Sequence, residues 1–275
     1  MKTILACLGD EQDARDILRI ALPFAERHGS HLIGAHVQEH VAFYPGVAVH
    51  VPAEIYVDFQ QRQAADSEAV KAVFEDLTRT ATCATEWRLI KAGSPDTATA
   101  LLQVAYTADL VLLSQTEYGG DQSSSHYMQE SVIRGCGRPV LFVPAACDTT
   151  GLGKKVVVGW SPTREAARAA HDVIPLLDAG AEVIIATVSK AGGDGDDDTG
   201  ELARMFDRHG FKVDVVHRTS PKANVAEELS GLAFERGADM IATGAFGHSR
   251  LHDFVIGAVT LDLMRHARMP VLFSK

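Results

Sequence analysis

Cysteine, positive charge and long apolar runs are all scarce in this chain. Its 275 residues include only four cysteines, Cys7, Cys83, Cys136 and Cys147. No two form a Cys-x-x-Cys pair and no histidine joins them at zinc-like spacing, so four reduced thiols are expected. Cys7 falls inside an apolar strand pattern and reads as a core residue. Lys and Arg number 26 against 36 Asp and Glu, a formal net charge of −10. Such a surface repels phosphate backbones, and no nucleic-acid partner is expected. Apolar runs such as Leu110–Leu113 have strand length, far below the ~18 residues of a membrane span, so no membrane partner is expected either. The segment Met1–Leu8 is shorter than a signal-peptide core, and Asp10, Glu11 and Asp13 follow it, so a cytoplasmic location is expected.

Catalytic signatures are missing too. There is no G-x-S-x-G nucleophile turn and no G-x-x-x-x-G-K-[ST] phosphate loop. A first-strand G-x-G-x-x-G is also absent, since Gly151 and Gly153 precede their strand. His248 and His252 are four apart, as are His36 and His40, but neither pair lies in an H-E-x-x-H motif or has an evident third ligand. They read as exposed loop histidines. Asp194–Glu201 has the composition of a calcium loop, yet it lacks the glycine at the sixth position and has Met205 at the twelfth. A solvated loop before a helix over Gly200–His209 is expected instead.

What the sequence does contain is a long-period repeat. The chain is 46% hydrophobic, enough for two ordinary cores, and its length suits two domains at ~150 residues each. Thr3–Gly9 resembles Lys155–Ser161, and each run precedes an Ala-rich helical pattern. The first such helix is expected over Asp13–His28, with Ile17, Ile20, Ala21 and Phe24 on one face. The second is expected over Arg164–Leu177, with Ala167, Ala170, Ile174 and Leu177 inward. Ser94-Pro95 then matches Ser220-Pro221, and Ala108-Asp109-Leu110 matches Ala238-Asp239-Met240. Arg138-Pro139-Val140-Leu141-Phe142-Val143 matches Met269-Pro270-Val271-Leu272-Phe273-Ser274. The offset falls from 152 at the first strands to 130 and 131 at the later landmarks. The first half therefore carries about twenty extra residues, placed in a loop over His40–Ala65 before a helix at Asp66–Thr80.

Each half reads as five strands alternating with helices. Strands are expected near 3–8, 31–37, 85–91, 109–114 and 139–143, and near 155–160, 181–188, 212–218, 239–243 and 270–274. Runs such as Val156–Val158 suit strands covered on both faces. The fold expected is α/β, two tandem doubly wound parallel-sheet domains, at 1–147 and 153–275, with the boundary in Pro144–Gly153. The matching Pro-Val-Leu-Phe strands are hydrophobic edges that need partners, so Val140–Val143 and Val271–Ser274 are expected to pair antiparallel.

Ligands of such sheets bind beyond the carboxyl ends of the strands. Behind Ile241–Thr243 come Gly244, Gly247 and Gly257, and then the helix Val259–His266. Gly257-Ala258-Val259-Thr260 can cradle a phosphate on backbone N–H groups at the helix start, with Gly244–Gly247 as an arm above it. His248 and Arg250, in the same stretch, are expected as further phosphate contacts.

The segment Thr243–Thr260, followed by Arg265–Leu272, resembles the signature of the universal stress protein family. That family's nucleotide loop reads G-x2-G-x9-G followed by Ser or Thr. Gly244, Gly247 and Gly257 match it, while Ala258 stands where the hydroxyl residue belongs. The resemblance covers nearly the whole chain as two copies, stronger in the second. It implies Rossmann-like domains of the adenine nucleotide alpha hydrolase-like type, packed about a pseudo-two-fold axis as an intramolecular pseudo-dimer. A homodimer of whole chains is left open. It also implies stress-responsive binding of ATP or AMP, with no metal beyond magnesium carried by the nucleotide and at most slow ATP hydrolysis. Ser161 takes the place of the family's first-strand Asp, Thr163 that of its Ser, and Val188 ends the strand whose backbone would read adenine. In the first half Gly9 stands at the Asp position, His126 at that of Gly257, and the glycine arm is replaced by the Gly119-Gly120 loop. Nucleotide is therefore expected in the second half only. The rival readings are an interaction protein with both pockets degenerate and a sensor of another small molecule.

Overall fold

β-branched and aliphatic runs become strands here, and the Ala-rich segments between them become helices. The structure is a computed structural model that describes residues 1–40, 53–93, 97–115, 122–145, 147, 151–189, 199–220, 224–247 and 257–275. The chain divides into two compact units, Met1–Cys136 and Gly137–Lys275. The first contains β1 (Thr3–Cys7), α1 (Glu11–His28), β2 (His31–His40), α2 (Ala53–Thr78), β3 (Thr85–Gly93), α3 (Thr97–Ala105), β4 (Leu110–Ser114) and α4 (Gln122–Gly135). Its strands run parallel in the order β3-β2-β1-β4. The second contains β5 (Val140–Val143), β6 (Lys155–Gly159), α5 (Arg164–Asp172), β7 (Glu182–Ser189), α6 (Thr199–Arg208), β8 (Lys212–Thr219), α7 (Val225–Arg236), β9 (Met240–Gly244), α8 (Ala258–His266) and β10 (Val271–Ser274). Its order is β5-β10-β9-β6-β7-β8, parallel except for β5 against β10. Central strands are buried along their length, as helices on both faces require: all five residues of β4, and Val156–Gly159 of β6.

The antiparallel pair expected between the two Pro-Val-Leu-Phe strands is present. Val271 faces Phe142, Leu272 faces Leu141 and Phe273 faces Val140. The rings of Phe142 and Phe273 meet edge-on with centroids 6.2 Å apart. The repeated Ala-Asp landmark also has a structural cause. Asp109 accepts from the backbone N–H groups of Lys2 and Thr3, and Asp239 from those of Gly153, Lys154 and Lys155. Each carboxylate thus fixes the entry of one strand, β1 or β6, against the start of its parallel neighbour, β4 or β9.

Four expectations are corrected. α5 ends at Asp172 rather than Leu177 and passes into a 3-10 turn over Ile174–Leu176. Pro175 has no N–H to continue the helix and disfavours helical geometry in the residue before it. The inward face of α5 is set one residue earlier, with Ala166, Ala169, Ala170 and Val173 buried. α2 begins at Ala53 instead of Asp66. None of Glu54–Asp66 is buried, and Ile55 and Val57 are exposed, so no apolar stripe marks those turns. His36 is a buried strand residue and not an exposed loop histidine. Its Nδ1 donates to the Leu8 carbonyl at 2.7 Å and its ring stacks on Trp87. The acidic stretch Asp194–Asp198 lies outside the described residues.

Candidate functional site

In the second unit the carboxyl ends of β6, β9 and β7 sit side by side, with Gly159 opposite both Thr243 and Ala186. The Trp160 N–H extends this ladder to the Ala186 carbonyl. Above them α8 starts on Gly257, whose φ of 87° and ψ of 11° are left-handed and suit glycine. No side chain among the described residues caps that helix. Its first turn presents backbone donors and the positive end of the helix dipole, the arrangement that holds anions. Ala258 and Val259 are half-buried in this turn. Thr260 is buried, and its Oγ1 accepts from the Phe246 N–H at 3.1 Å. That bond fixes the stretch after β9 against α8.

Gly244 and Gly247 have a second reason to be glycine. A Cβ on Gly244 would lie 2.6 Å from the Ala166 nitrogen and from the Glu165 carbonyl carbon. One on Gly247 would lie 3.2 Å from Glu165 Oε2. The start of α5 therefore packs directly on these glycines. Glu165 is itself buried, its side chain 4% exposed, with Lys275 Nζ 3.5 Å and Arg164 Nε 2.7 Å from Oε1. Burial works to raise the Glu165 carboxyl, but the hydrogen bond from Arg164, its own backbone N–H and the charges of Arg164 and Lys275 bring it below the ordinary carboxylate range.

Ser161 and Thr163 lie in the turn from β6 to α5, their hydroxyl oxygens 3.4 Å apart. Thr163 is the N-cap of α5, its Oγ1 accepting from the Ala166 N–H at 3.2 Å. Thr163→Ala is therefore expected to cost about 1 kcal/mol of stability in urea unfolding, with or without nucleotide. Val188, on β7, pairs in register with Arg218 of β8. The structure thus gathers Ser161, Thr163, Gly244, Gly247 and the Gly257–Thr260 turn around the ends of β6 and β9, with Val188 one strand away. His248 and Arg250 lie outside the described residues.

The matching place in the first unit is built differently. Asp13 stands 152 residues before Glu165, the same offset as the first strands. Its side chain is fully buried, and Oδ2 accepts from the Gly9 N–H at 2.6 Å. Ser114, 130 residues before Gly244, also hydrogen-bonds to it, and the Ser114 carbonyl accepts from Gln129 Nε2 at 2.6 Å. Burial lifts the Asp13 carboxyl to about 7, against the hydrogen bonds from Ser114 and Gly9, with Asp10 and Asp16 raising it further. The acid at this position is countered by Arg164 and Lys275 in one unit, whereas in the other, burial favours its protonated form. Motif reading missed Asp13, Glu165 and Lys275. The signal for the first two was the repeat itself, followed past the strand into the helix. Among the described residues no cluster of three or more His, Cys, Asp or Glu side chains is placed to hold a metal ion.

The universal stress protein family matches residues 1–144 and again 153–275. The chain belongs to that family, as two tandem copies. It is similar in fold to a universal stress protein from Archaeoglobus fulgidus DSM 4304, at 16% identity and a TM-score of 0.70, over 99% of this chain and 96% of that one. It is also similar to a functionally unknown protein from Pseudomonas aeruginosa PAO1, at 13% identity and a TM-score of 0.58, over 100% of this chain and 92% of that one. No curated protein matches. No helix among the described residues is long and apolar enough to cross a membrane.

Proposed function

We propose that this universal stress protein is a stress-responsive adenine-nucleotide binding or signalling protein of the cytoplasm, with one site for ATP or AMP in its second domain. The observation that supports this most is the α8 N-terminus, which opens on left-handed Gly257 beside the carboxyl end of β9 and is capped by no side chain among the described residues. Its backbone donors carry the phosphate contact, because Ala258 has no hydroxyl to add. Val188 and the end of β7 take the adenine side. Ser161 offers the ribose one uncharged hydroxyl. Gly9, at the Ser161 position of the first domain, has no hydroxyl to offer, and its N–H donates to Asp13.

Titration with ATP and AMP tests this reading. Gly257→Val places a branched side chain in a left-handed position and in the space a phosphate needs, and is expected to abolish binding. Ala258→Ser adds about one net hydrogen bond and is expected to tighten binding by on the order of 1 kcal/mol. Changes at Gly119 or Gly120 are expected to leave affinity unaltered. Equal affinity in the parent chain and Gly257→Val would remove the glycine turn from the site. The second reading is a partner-recruiting protein with both pockets degenerate. It is favoured by the engagement of the Thr163 and Thr260 hydroxyls within the protein.

A further inference from the structure

Phe246 is the one non-glycine residue with positive φ among the described residues, at 51°. A bulky side chain in that region is held there by its surroundings. Here the surroundings are explicit. The Phe246 N–H donates to Thr260 Oγ1, and its carbonyl accepts from Lys275 Nζ at 2.8 Å. The preceding Ala245 N–H donates to the Ser274 carbonyl at 2.8 Å. The segment leaving β10 therefore pins the turn that leaves β9. The same ammonium stands 3.5 Å from Glu165 Oε1, and Glu165 Oε2 lies beside Gly247. A buried carboxylate in that place opposes an incoming phosphate unless its charge is cancelled. Arg164 also pairs with Glu165, but its side chain is 79% exposed and solvent screens it. Lys275, 20% exposed, is the sheltered partner.

We infer that Lys275 is a positioning residue of the second domain's anion site: its ammonium holds the Phe246 turn in place and cancels the Glu165 charge, so that phosphates can approach the Gly257 turn. This rests on the nucleotide reading above. It adds that acceptance of the anion is controlled by a residue outside the glycine loop. Glu165 and Lys275 form one unit, in which removing the lysine alone is worse than removing both charges.

Four variants of the full chain decide it, Lys275→Met, Lys275→Arg, Glu165→Gln and the double variant Glu165→Gln/Lys275→Met. Two readouts are taken: ATP affinity by calorimetric titration, and hydrogen exchange of the Phe246 and Gly247 amides without nucleotide. Lys275→Met is expected to weaken ATP binding at least about tenfold and to speed exchange at Phe246. Lys275→Arg is expected to stay within about threefold of the parent, since the cation is kept. The double variant is expected to recover most of the affinity that Lys275→Met loses. Unchanged ATP affinity in Lys275→Met, or a double variant as weak as Lys275→Met, would overturn the inference. If the parent chain takes up no ATP, the nucleotide reading fails. The exchange rates then judge Lys275 alone: faster exchange in Lys275→Met upholds its hold on the turn, and unchanged exchange overturns it.

Discussion

Asp13→Asn is expected to make the first domain more stable than the parent at pH 8 and to flatten its pH dependence. The Asp13 carboxyl is fully buried among Gly9, Ser114 and the start of α1, with its value lifted to about 7 from 3.8. A raised acid binds its proton more tightly in the folded chain than in the unfolded one. The stability it contributes is therefore whole below the unfolded value, is lost as the pH climbs from about 4 to about 7, and is constant beyond that. The span is on the order of 4 kcal/mol from this one group. Asparagine can accept the Gly9 N–H and donate to Ser114 without ionising. Urea unfolding at pH 5, 6, 7 and 8 measures the effect. The signal is the emission of Trp87, which lies on β3 of the first unit, in a Trp160→Phe background because those are the two tryptophans of the chain. Parallel pH curves for the parent and the Asp13→Asn variant would show that this carboxyl does not titrate between the folded and unfolded states.

Gly244→Ala is expected to destabilise the second domain by about 3 kcal/mol in the absence of any nucleotide. The added Cβ would overlap backbone atoms of Glu165 and Ala166 at 2.6 Å, and backbone at a helix start yields little. Gly247→Ala is the internal comparison. Its Cβ would meet the far end of the Glu165 side chain at 3.2 Å, which can shift, so a cost of about 1 kcal/mol is expected. The order of the two losses in urea, measured on ligand-free protein, tests whether Gly244 is set by packing. A Gly244→Ala protein as stable as its parent would mean that α5 does not press on β9 as described.

The architecture was legible because the central strands are apolar runs and the landmarks around them recur. The Ala-Asp pair at the start of β4 and β9, and the Pro-Val-Leu-Phe pair at β5 and β10, are repeated because they do the same mechanical work in both halves. The first half of α2 was not legible, since Glu54–Asp66 buries nothing and so leaves no periodic trace. The inward face of α5 was misread because alanines stand on several sides of it, and only packing on β9 and β10 selects among them. Within the site, Gly257 was legible as the glycine that opens a helix. The packing role of Gly244 was not, because the atoms it must avoid belong to Glu165 and Ala166, far away in sequence. Lys275 carries no motif. Its meaning comes from the fold, which brings the end of β10 beside the turn after β9.

Native mass spectrometry of the full chain, isolated from cells and then supplied with ATP, reads the site most directly. One adenine nucleotide per chain is expected in the parent protein and none in Gly257→Val. A parent chain that stays bare at millimolar ATP, or one that carries two nucleotides, would contradict a single nucleotide site in the second domain.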